Sequence, residues 1–207
     1  MVAVLVFIAY LLGSIPTSVW IGKAFYNIDV REFGSGNAGA TNTFRVLGKN
    51  AGIPVLIIDI LKGTLAVALA YFSDFEVNGT EFINLQLGLG IAALLGHIFP
   101  VFAGFRGGKG VATILGIVIC ILPLASAFSL IVFLIVLFSS RIVSLSSMLA
   151  GISFPLILNF LLHNQNPVLT IFSIVVAALL IVTHRKNIKR LISREESKVQ
   201  LFTAKNK

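Results

Sequence analysis

Two long runs without a charged residue limit what this chain can fold into more than any other feature. Residues 2–21 and 168–182 contain no Asp, Glu, Lys or Arg, and uncharged apolar segments of this kind are typical of membrane spans. Mean hydropathy over the chain is +0.99 and only 12% of residues are charged, so the pattern extends well beyond these two runs. The sequence predicts an all-α integral membrane protein with one polytopic domain, residues 1–207.

The first apolar run is expected to stay in the mature chain. No basic residue precedes it, no small-residue cleavage site follows it, and it runs directly into Lys23. A secretory signal peptide needs basic residues before its apolar run and a small-residue cleavage site after it. This run has neither, so we interpret it as a retained span.

Cysteine and histidine are too scarce for redox or metal chemistry to be expected. Cys120 is the only cysteine and the chain has three histidines, so neither an internal disulfide nor a Cys/His metal spacing is possible. We expect no metal and no cofactor.

Hydropathy predicts seven helices, and the fourth and fifth are ambiguous. The predicted spans are about 1–22, 51–73, 82–103, 111–122, 124–139, 142–162 and 168–183. The segment around Pro123 fits one long kinked helix or a hairpin of two helices, each too short to cross a bilayer unaided.

The distribution of positive charge favours the hairpin. Eight of the 16 Lys and Arg residues follow residue 183, and a single span would put them across the membrane from the loop that holds Arg31 and Arg45. A hairpin places all basic loops on one side, so the positive-inside rule predicts seven helices with the N-terminus outside and the C-terminus in the cytoplasm. Four polar segments would then gather at the cytoplasmic face, at 34–48, 104–110, 140–147 and 183–190.

The first of these segments, GSGNAGATNTFRVLG at 34–48, has the composition of an anion-binding loop. A dinucleotide-binding motif is rejected because no strand precedes the G-x-G-x-x-G spacing of Gly34, Gly36 and Gly39. Glycines nevertheless let backbone N–H groups turn toward one point, and Arg45 adds a cation. Short polar side chains add further donors: Ser35, Asn37, Thr41 and Asn42. The alternative is a flexible cytoplasmic loop with a helix cap.

The second segment, GFRGGKG at 104–110, predicts another anion site. It departs from the Walker A motif at Ala103 and Gly110, so an ATPase is not indicated. Gly107 and Gly108 surround Lys109 just before a predicted helix, which combines an ammonium group with a helix N-terminus. Arg106 is interpreted as a contact for anionic lipid.

Three ionisable residues fall inside predicted spans. Asp59 and Lys62 are three residues apart, and so can form a structural salt bridge or take a direct role. His97 is interpreted as a hydrogen-bonded core histidine.

His184 and Asn187 are three residues apart and share a face at the end of the last predicted helix.

The runs GSGNAGATNTFRVLG, DILKG, GHIFPVFAGFRGGKGVAT and HRKNIKRL together resemble the bacterial membrane acyl-phosphate:glycerol-3-phosphate acyltransferases, over nearly the whole chain. The resemblance implies transfer of a fatty acyl group from acyl phosphate to the 1-hydroxyl of sn-glycerol 3-phosphate, which gives lysophosphatidic acid and phosphate in the first acylation of phospholipid synthesis. It implies that Ser35, Asn37, Thr41 and Asn42 hold phosphate, joined by Ser144, and that Arg45, Lys109, His184 and Asn187 surround glycerol 3-phosphate.

One position departs from the family pattern. The family tends to have Gly two residues before a Glu, and this chain has Arg194 before Glu196. The departure leaves the local turn and the role of Glu196 open.

The chemistry agrees with this resemblance. Acyl phosphate is already activated, so positioning and charge screening can supply most of the rate, and the donor's own phosphate can accept the hydroxyl proton. His184 as a base is the alternative.

The predicted partners are membrane lipid, the two substrates and, transiently, an acyl-phosphate-making enzyme; no nucleic acid is expected. The expected location is the bacterial inner membrane, with the active site at its cytoplasmic face. A transporter of a phosphorylated metabolite is the other candidate function.

Overall fold

Residues 1–199 are described by the structure, a computed structural model, and within that range it contains helices and turns but no strand. The chain forms two compact units, Met1–Pro123 and Leu124–Lys207. An all-α architecture is therefore confirmed over the described residues, and the two units are considered in turn.

The first unit is built on two tightly packed helix pairs. Its helices are α1 (Val2–Gly13), α2 (Thr17–Tyr26), α3 (Ala40–Leu47), α4 (Lys49–Ala68), α5 (Thr80–Ile98) and α6 (Val111–Ile121). Short 3₁₀ turns occur at Val30–Glu32, Leu69–Phe72 and Val101–Ala103. Helix α4 packs against α6 and α1 packs against α5, while the short helix α3 lies on α4.

Glycines allow α4 and α6 to approach closely. A Cβ on Gly63 would overlap the Thr113 carbonyl, and one on Gly116 would overlap the Ile60 carbonyl. Thr64 Oγ1 also donates to the Gly116 carbonyl at 3.0 Å. Small residues at such contacts are typical of helix packing in membranes, where close van der Waals contact replaces the hydrophobic effect.

The first apolar run is broken into α1 and α2, which bend by 41°. Pro16 lies at the break and has no N–H to donate, so a carbonyl of the preceding turn loses its helical partner. Lys62 Nζ, on α4, donates to the Ile15 carbonyl at 3.0 Å. A buried ammonium group thus stabilises the break.

The same lysine belongs to a buried polar cluster. Its Nζ lies 2.9 Å from Asp59 Oδ1, which also accepts from Thr17 Oγ1 at 3.2 Å. His97 Nδ1 lies 3.1 Å from Thr113 Oγ1 and 3.9 Å from Asp59 Oδ1. The two interpretations made from sequence, an i,i+3 salt bridge and a hydrogen-bonded core histidine, agree with this arrangement.

In the second unit, α8 packs against α9. The helices are α7 (Pro123–Ser140), which begins at the last residue of the first unit, α8 (Val143–Leu156), α9 (Pro167–Thr183) and α10 (Arg185–Ile192). Helix α8 continues as a π-helical stretch, Ile157–Leu161, and Asn159 Nδ2 donates to the Pro155 carbonyl at 2.8 Å. Asn166 caps α9 by accepting from the Val168 N–H, with Pro167 in the first turn, as helix starts prefer.

Four helical segments of the described chain are long and apolar enough to cross a membrane: Lys49–Phe72, Thr80–Ala103, Pro123–Ser140 and Val143–Leu161. The number rises to six if each bent pair, α1 with α2 and α9 with α10, counts as one span. Helix α6 is shorter, with 11 residues. The protein is an integral membrane protein, and its seven-span count and orientation stay predictions.

Two details of the predicted spans need correction. The fifth helix was expected to be too short to cross, but α7 has 18 residues and qualifies, because its helix extends to Pro123 and Ser140. The first span is also interrupted where a continuous helix was predicted. The helix break before Pro123 was anticipated, since Leu122 has φ −136° and ψ 62°, outside the helical region.

Candidate active site

Asn42 holds the first glycine loop in shape. Its Oδ1 accepts from the backbone N–H of Ser35 at 2.8 Å and from Ser35 Oγ at 3.1 Å. Its Nδ2 donates to the carbonyls of Val30 at 2.8 Å and Phe33 at 3.1 Å. The side chain is 2% exposed, and both of its N–H groups are used by backbone carbonyls just before the loop.

Glycine is required where this loop passes the Asn42 amide. Gly34 and Gly36 have φ of 60° and 70°, a region that favours glycine. A Cβ on Gly34 would lie 2.5 Å from Asn42 Oδ1. Asn37 lies beside Gly39, the N-cap residue of α3. The loop therefore turns sharply and ends at a helix start.

The N-terminus of α3 has donors without intrahelical partners. By helical geometry, the N–H groups of Ala40 and Thr41 have none, and the first turn contains no acidic residue. Thr41 and Arg45 are four residues apart and exposed, so they lie on one face of the helix. Thr43 Oγ1 donates to the Gly39 carbonyl at 3.1 Å. This helix end can bind an anion.

Asp29 and Arg31 connect the first loop to the second. Arg31 Nη2 lies 2.7 Å from Asp29 Oδ2, and Arg31 Nη1 donates to the carbonyls of Ala103 at 2.7 Å and Arg106 at 3.3 Å. The hydrogen bonds and charge of Arg31 lower the pKa of Asp29 to about 2. This ion pair is charged at neutral pH and fixes the backbone of the second loop.

The second glycine loop folds back on the end of α5. The N–H groups of Gly107 and Gly108 donate to the carbonyls of Ile98 at 3.2 Å and His97 at 3.1 Å. Lys109 is partly buried, and Gly110, with φ 81°, is the N-cap residue of α6. Lys109 thus stands directly before a helix N-terminus with no acidic residue in its first turn, as the sequence predicted.

The two glycine loops meet at Gly108. A Cβ on this residue would lie 2.9 Å from the Ala38 carbonyl oxygen and would overlap His97 Nε2. Helix α3 begins two residues after Ala38 and α6 begins three residues after Gly108. One contact therefore brings together two helix starts and the segments that carry Arg45 and Lys109. Among the described residues, no group of acidic, His and Cys side chains could hold a metal ion.

In the second unit, His184 lies between α9 and α10, which bend by 59°. The residue is 2% exposed, and its Nδ1 lies 2.8 Å from the Leu180 carbonyl. A carbonyl can only accept, so Nδ1 carries the proton. In a neutral imidazole, Nε2 is then the nitrogen with the lone pair.

Glu196 organises the other polar residues of this unit. Its Oε1 accepts from Ser144 Oγ at 2.7 Å and from Asn187 Nδ2, and Arg190 Nε donates to Oε2 at 2.7 Å. Burial alone would raise the pKa of this carboxyl, but the three hydrogen bonds and the charge of Arg190 outweigh it and lower the pKa. The carboxylate is ionised at neutral pH.

Arg194 occupies the position where the resembling family tends to have glycine, and its backbone keeps a glycine-like conformation. Its φ is 61°. The Glu195 N–H donates to the Arg190 carbonyl at 2.7 Å and the Arg194 N–H to the Leu191 carbonyl at 3.1 Å, as at the C-terminus of many helices. The turn that brings Glu196 back toward α10 is therefore formed despite the substitution.

The structure brings the predicted residues together within each unit. Those of the two glycine loops, Gly34, Ser35, Gly36, Asn37, Gly39, Thr41, Asn42, Arg45, Gly107, Gly108 and Lys109, lie on segments in contact in the first unit. Ser144 and Asn187 share Glu196 in the second unit, where His184 precedes α10. Sequence reasoning missed the Asp29–Arg31 connection and left Glu196 unassigned, although a carboxylate near a basic helix end is a recognisable signal.

Comparisons with known proteins agree on one family. The family model described as glycerol-3-phosphate acyltransferase matches residues 3–194. A protein of that name from Enterococcus faecalis is 46% identical over 96% of this chain and 92% of its own length. Another from Bacillus cytotoxicus is 45% identical over 98% of this chain and 97% of its own length.

Solved structures give the same result. The crystal structure of PlsY (YgiH), an integral membrane glycerol 3-phosphate acyltransferase, in its glycerol 3-phosphate form is 40% identical, with a TM-score of 0.86 and coverage of 96% of both chains. The lysophosphatidic acid form of PlsY is 39% identical, with a TM-score of 0.82 and coverage of 96% of this chain and 95% of that chain.

Proposed function

Because the chain belongs to the glycerol-3-phosphate acyltransferase family, we propose that it transfers an acyl group from acyl phosphate to the 1-hydroxyl of sn-glycerol 3-phosphate. The products are lysophosphatidic acid and inorganic phosphate. The acyltransferase activity is that of the family, while the donor and the residue roles are our proposal. The transporter alternative is not retained, since the relatives are acyltransferases.

The observation that carries the residue roles is the contact between the two glycine loops at Gly108 and Ala38. Both substrates contain a phosphoryl group, and each loop leads into a helix N-terminus, where backbone N–H groups and the helix dipole favour an anion. Arg45 and Lys109 add two cations, so the site can stabilise the negative charge of two phosphoryl groups.

The first loop is assigned to the acyl phosphate. The N-terminus of α3, with Thr41 and Asn37, offers donors for its phosphoryl oxygens. Ser35 Oγ can rotate from Asn42 toward the phosphate while the Ser35 N–H keeps its bond to Asn42 Oδ1. The N–H groups of Asn42 are already used by Val30 and Phe33, so Asn42 supports the loop and Ser35.

Arg45 and Lys109 are assigned to glycerol 3-phosphate, in line with the resemblance. A guanidinium group can bind a phosphate with two parallel hydrogen bonds, and an ammonium group acts as a point charge. The exposed face of α3 leaves Arg45 accessible. His184 and Asn187 are assigned to the same substrate by the resemblance alone.

The transfer itself needs no separate acid. The 1-hydroxyl oxygen attacks the acyl carbonyl carbon, the bond from that carbon to the phosphate oxygen breaks, and phosphate leaves with the electron pair. The hydroxyl proton passes to a phosphate oxygen of the donor, so the reaction balances without a metal or cofactor. Preorganised positive groups then supply most of the rate by positioning and charge stabilisation.

His184 is proposed to orient substrate through its ring. The hydrogen bond from Nδ1–H to the Leu180 carbonyl fixes the orientation of the ring, which suits a positioning role. The alternative, in which Nε2 takes the hydroxyl proton, requires the same tautomer. A His184→Gln variant distinguishes the positioning role from the base role, because glutamine keeps hydrogen-bonding groups but cannot take up the proton. Measurable activity in this variant supports the positioning role.

The proposed location is the bacterial inner membrane, with the glycine loops facing the cytoplasm. The positive-inside distribution of Lys and Arg supports this orientation. Both substrates are charged, and the acyl chain of the donor is apolar, so a reaction at the cytoplasmic membrane surface gives each substrate access.

The function is tested by incubating purified protein with acyl phosphate and radiolabelled glycerol 3-phosphate. We expect labelled lysophosphatidic acid and an equal molar amount of inorganic phosphate. Hydrolysis of acyl phosphate with no labelled lipid would contradict the proposal.

The residue roles are tested with Arg45→Ala and Lys109→Ala in the same assay. Loss of one charge-assisted hydrogen bond costs about 1.5–3 kcal/mol, so kcat/KM for glycerol 3-phosphate is expected to fall about 10- to 150-fold. Lys49→Ala is the matched control, since Lys49 is an exposed cation at the start of α4. An equal loss in the control would contradict the assignment.

A further inference from the structure

A separate cleft of about 450 Å³ lies in the first unit, outside the residues assigned to the reaction. Its lining includes Trp20 and Lys23 from α2, Phe102, Arg31 and Arg106. The ring centroids of Trp20 and Phe102 are 6.2 Å apart. The cleft therefore combines an aromatic wall with three basic side chains.

The positive charge of this cleft is not fully cancelled by the two acidic residues near it, Asp29 and Glu32. Asp29 is ion-paired with Arg31 at 2.7 Å, and its oxygen is 3.6 Å from Lys23 Nζ. Glu32 is a second carboxylate whose charge acts on Arg31. Three cations against two carboxylates leave a positive excess of one charge, and the Lys23 side chain remains 60% exposed. Because Arg31 donates to the carbonyls of Ala103 and Arg106, the backbone that carries Arg106 is held in place before any ligand binds.

The aromatic wall gives the cleft a second chemical character. Trp20 is 49% exposed and Phe102 is 50% exposed, although both rings are large and apolar. Tryptophan favours the membrane–water interface, where its ring contacts both acyl chains and headgroups. Basic side chains at the same depth attract anionic lipid headgroups. Free phosphate would use the cations and leave the rings exposed.

We propose that this cleft binds an anionic phospholipid, with its phosphate between Lys23 and Arg106 and its acyl chains against Trp20 and Phe102. The cleft shares Gly104 and Arg106 with the second glycine loop but contains none of the residues assigned to the reaction, and it does not depend on the donor or on the residue roles proposed above. A lipid bound in this cleft would lie next to the backbone of Ala103 and Arg106, whose carbonyls accept hydrogen bonds from Arg31.

The chain provides its own reporter for this site, because Trp20 is its only tryptophan. The purified protein is placed in phosphatidylcholine nanodiscs that contain a small fraction of phosphatidylglycerol or phosphatidylcholine brominated on the acyl chains. Bromine quenches tryptophan fluorescence on contact. We expect half-maximal quenching at a mole fraction of brominated phosphatidylglycerol about fivefold lower than that of brominated phosphatidylcholine, since each basic residue near a headgroup adds attraction.

The double variant Lys23→Gln/Arg106→Gln is expected to lose this fivefold preference. Lys49→Gln/Lys186→Gln changes the net charge equally at exposed positions outside the cleft and should keep it. Equal quenching by the two lipids in the unmodified protein would overturn the proposal without any variant. Loss of the preference in the control pair, or release of brominated phosphatidylglycerol by inorganic phosphate, would overturn it as well.

Discussion

Arg194 has a backbone conformation that side chains with a Cβ rarely adopt. The cost of the left-handed region for such a residue is about 1–2 kcal/mol, and φ is 61° here. The position has the hydrogen bonds of a helix end that normally carries glycine. Hydrogen bonding around the turn and the ion pair of Glu196 with Arg190 hold the strained conformation.

Arg194→Gly is therefore expected to stabilise the protein. The predicted gain is about 1 kcal/mol, because strain is relieved while glycine gains some freedom in the unfolded chain. Thermal unfolding in detergent measures it. Arg194→Ala is the control, since alanine keeps a Cβ and should give no comparable gain; equal stabilisation by both variants would mean that the arginine side chain, and not its backbone, is unfavourable.

The lowered pKa of Glu196 predicts that the stability of the folded protein depends on pH. Its folded-state pKa is lowered by Ser144, Asn187 and Arg190 against the effect of burial, so its contribution to stability is present above the unfolded pKa. That contribution is lost as pH falls through the lowered folded-state pKa. Glu196→Gln should flatten the acid limb of a stability–pH profile recorded in detergent between neutral pH and the acid transition. An unchanged acid limb would show that the carboxylate does not stabilise the folded state.

At this scale, sequence reasoning named residues that the structure places on segments in contact, and it could not assign all of their contacts. The glycines, Lys109 and Arg45 were identified because their types and spacing indicate anion binding by local geometry alone. Asn42 was predicted as a phosphate donor, but its N–H groups donate to the carbonyls of Val30 and Phe33. Those partners are 12 and nine residues away, and no local pattern indicates how the chain returns to them.

At the scale of helices, a buried ion pair stabilises the break between α1 and α2. Lys62 bonds both Asp59 at 2.9 Å and the Ile15 carbonyl at 3.0 Å. Removing one partner of a buried pair leaves an uncompensated charge, which is more costly than removing both. The sequence predicted the pairing of Asp59 with Lys62 from their spacing, but the helix break and its contact with Lys62 depend on how α4 packs.

Lys62→Met is expected to destabilise the protein by about 3–5 kcal/mol. The double variant Asp59→Asn/Lys62→Met should recover part of this loss, because asparagine removes the unpaired carboxylate and can still accept from Thr17. Thermal unfolding of the purified variants in one detergent compares them. A double variant at least as unstable as Lys62→Met would contradict the ion-pair explanation.

The positions of helix ends were predicted more accurately than the breaks and extensions of individual helices. The apolar runs placed most helices within a few residues, since hydropathy is a property of the local sequence. The break at Pro16 was missed because proline is tolerated inside membrane helices when neighbouring groups satisfy the backbone around it. Here Lys62 donates to the Ile15 carbonyl, and these two residues are 47 positions apart in the sequence. Helix α10, which follows the last span, was not predicted because hydropathy identifies only apolar helices and most residues of α10 are polar.

For the whole molecule, the proposed orientation makes a prediction about access to solvent. In a Cys120→Ser background, Glu76→Cys and Gln165→Cys, at exposed positions, should react with an impermeant maleimide in whole cells. Ser197→Cys, also exposed, should react only after the membrane is opened. Labelling of Ser197→Cys in intact cells would contradict a cytoplasmic C-terminus.

The central claim is that two phosphoryl groups are held by the two glycine loops, and the choice of acyl donor tests it most directly. A thioester donor offers the same acyl chain but no phosphoryl group next to its carbonyl, so it can neither fill the first loop nor accept the hydroxyl proton. Purified protein is assayed in EDTA with glycerol 3-phosphate and either acyl phosphate, acyl-CoA or acyl-carrier-protein thioester, and lysophosphatidic acid is measured. We predict turnover with acyl phosphate, slowed by added inorganic phosphate, and little or none with either thioester; comparable rates with a thioester, or activity that returns only when a divalent metal is added, would contradict the account.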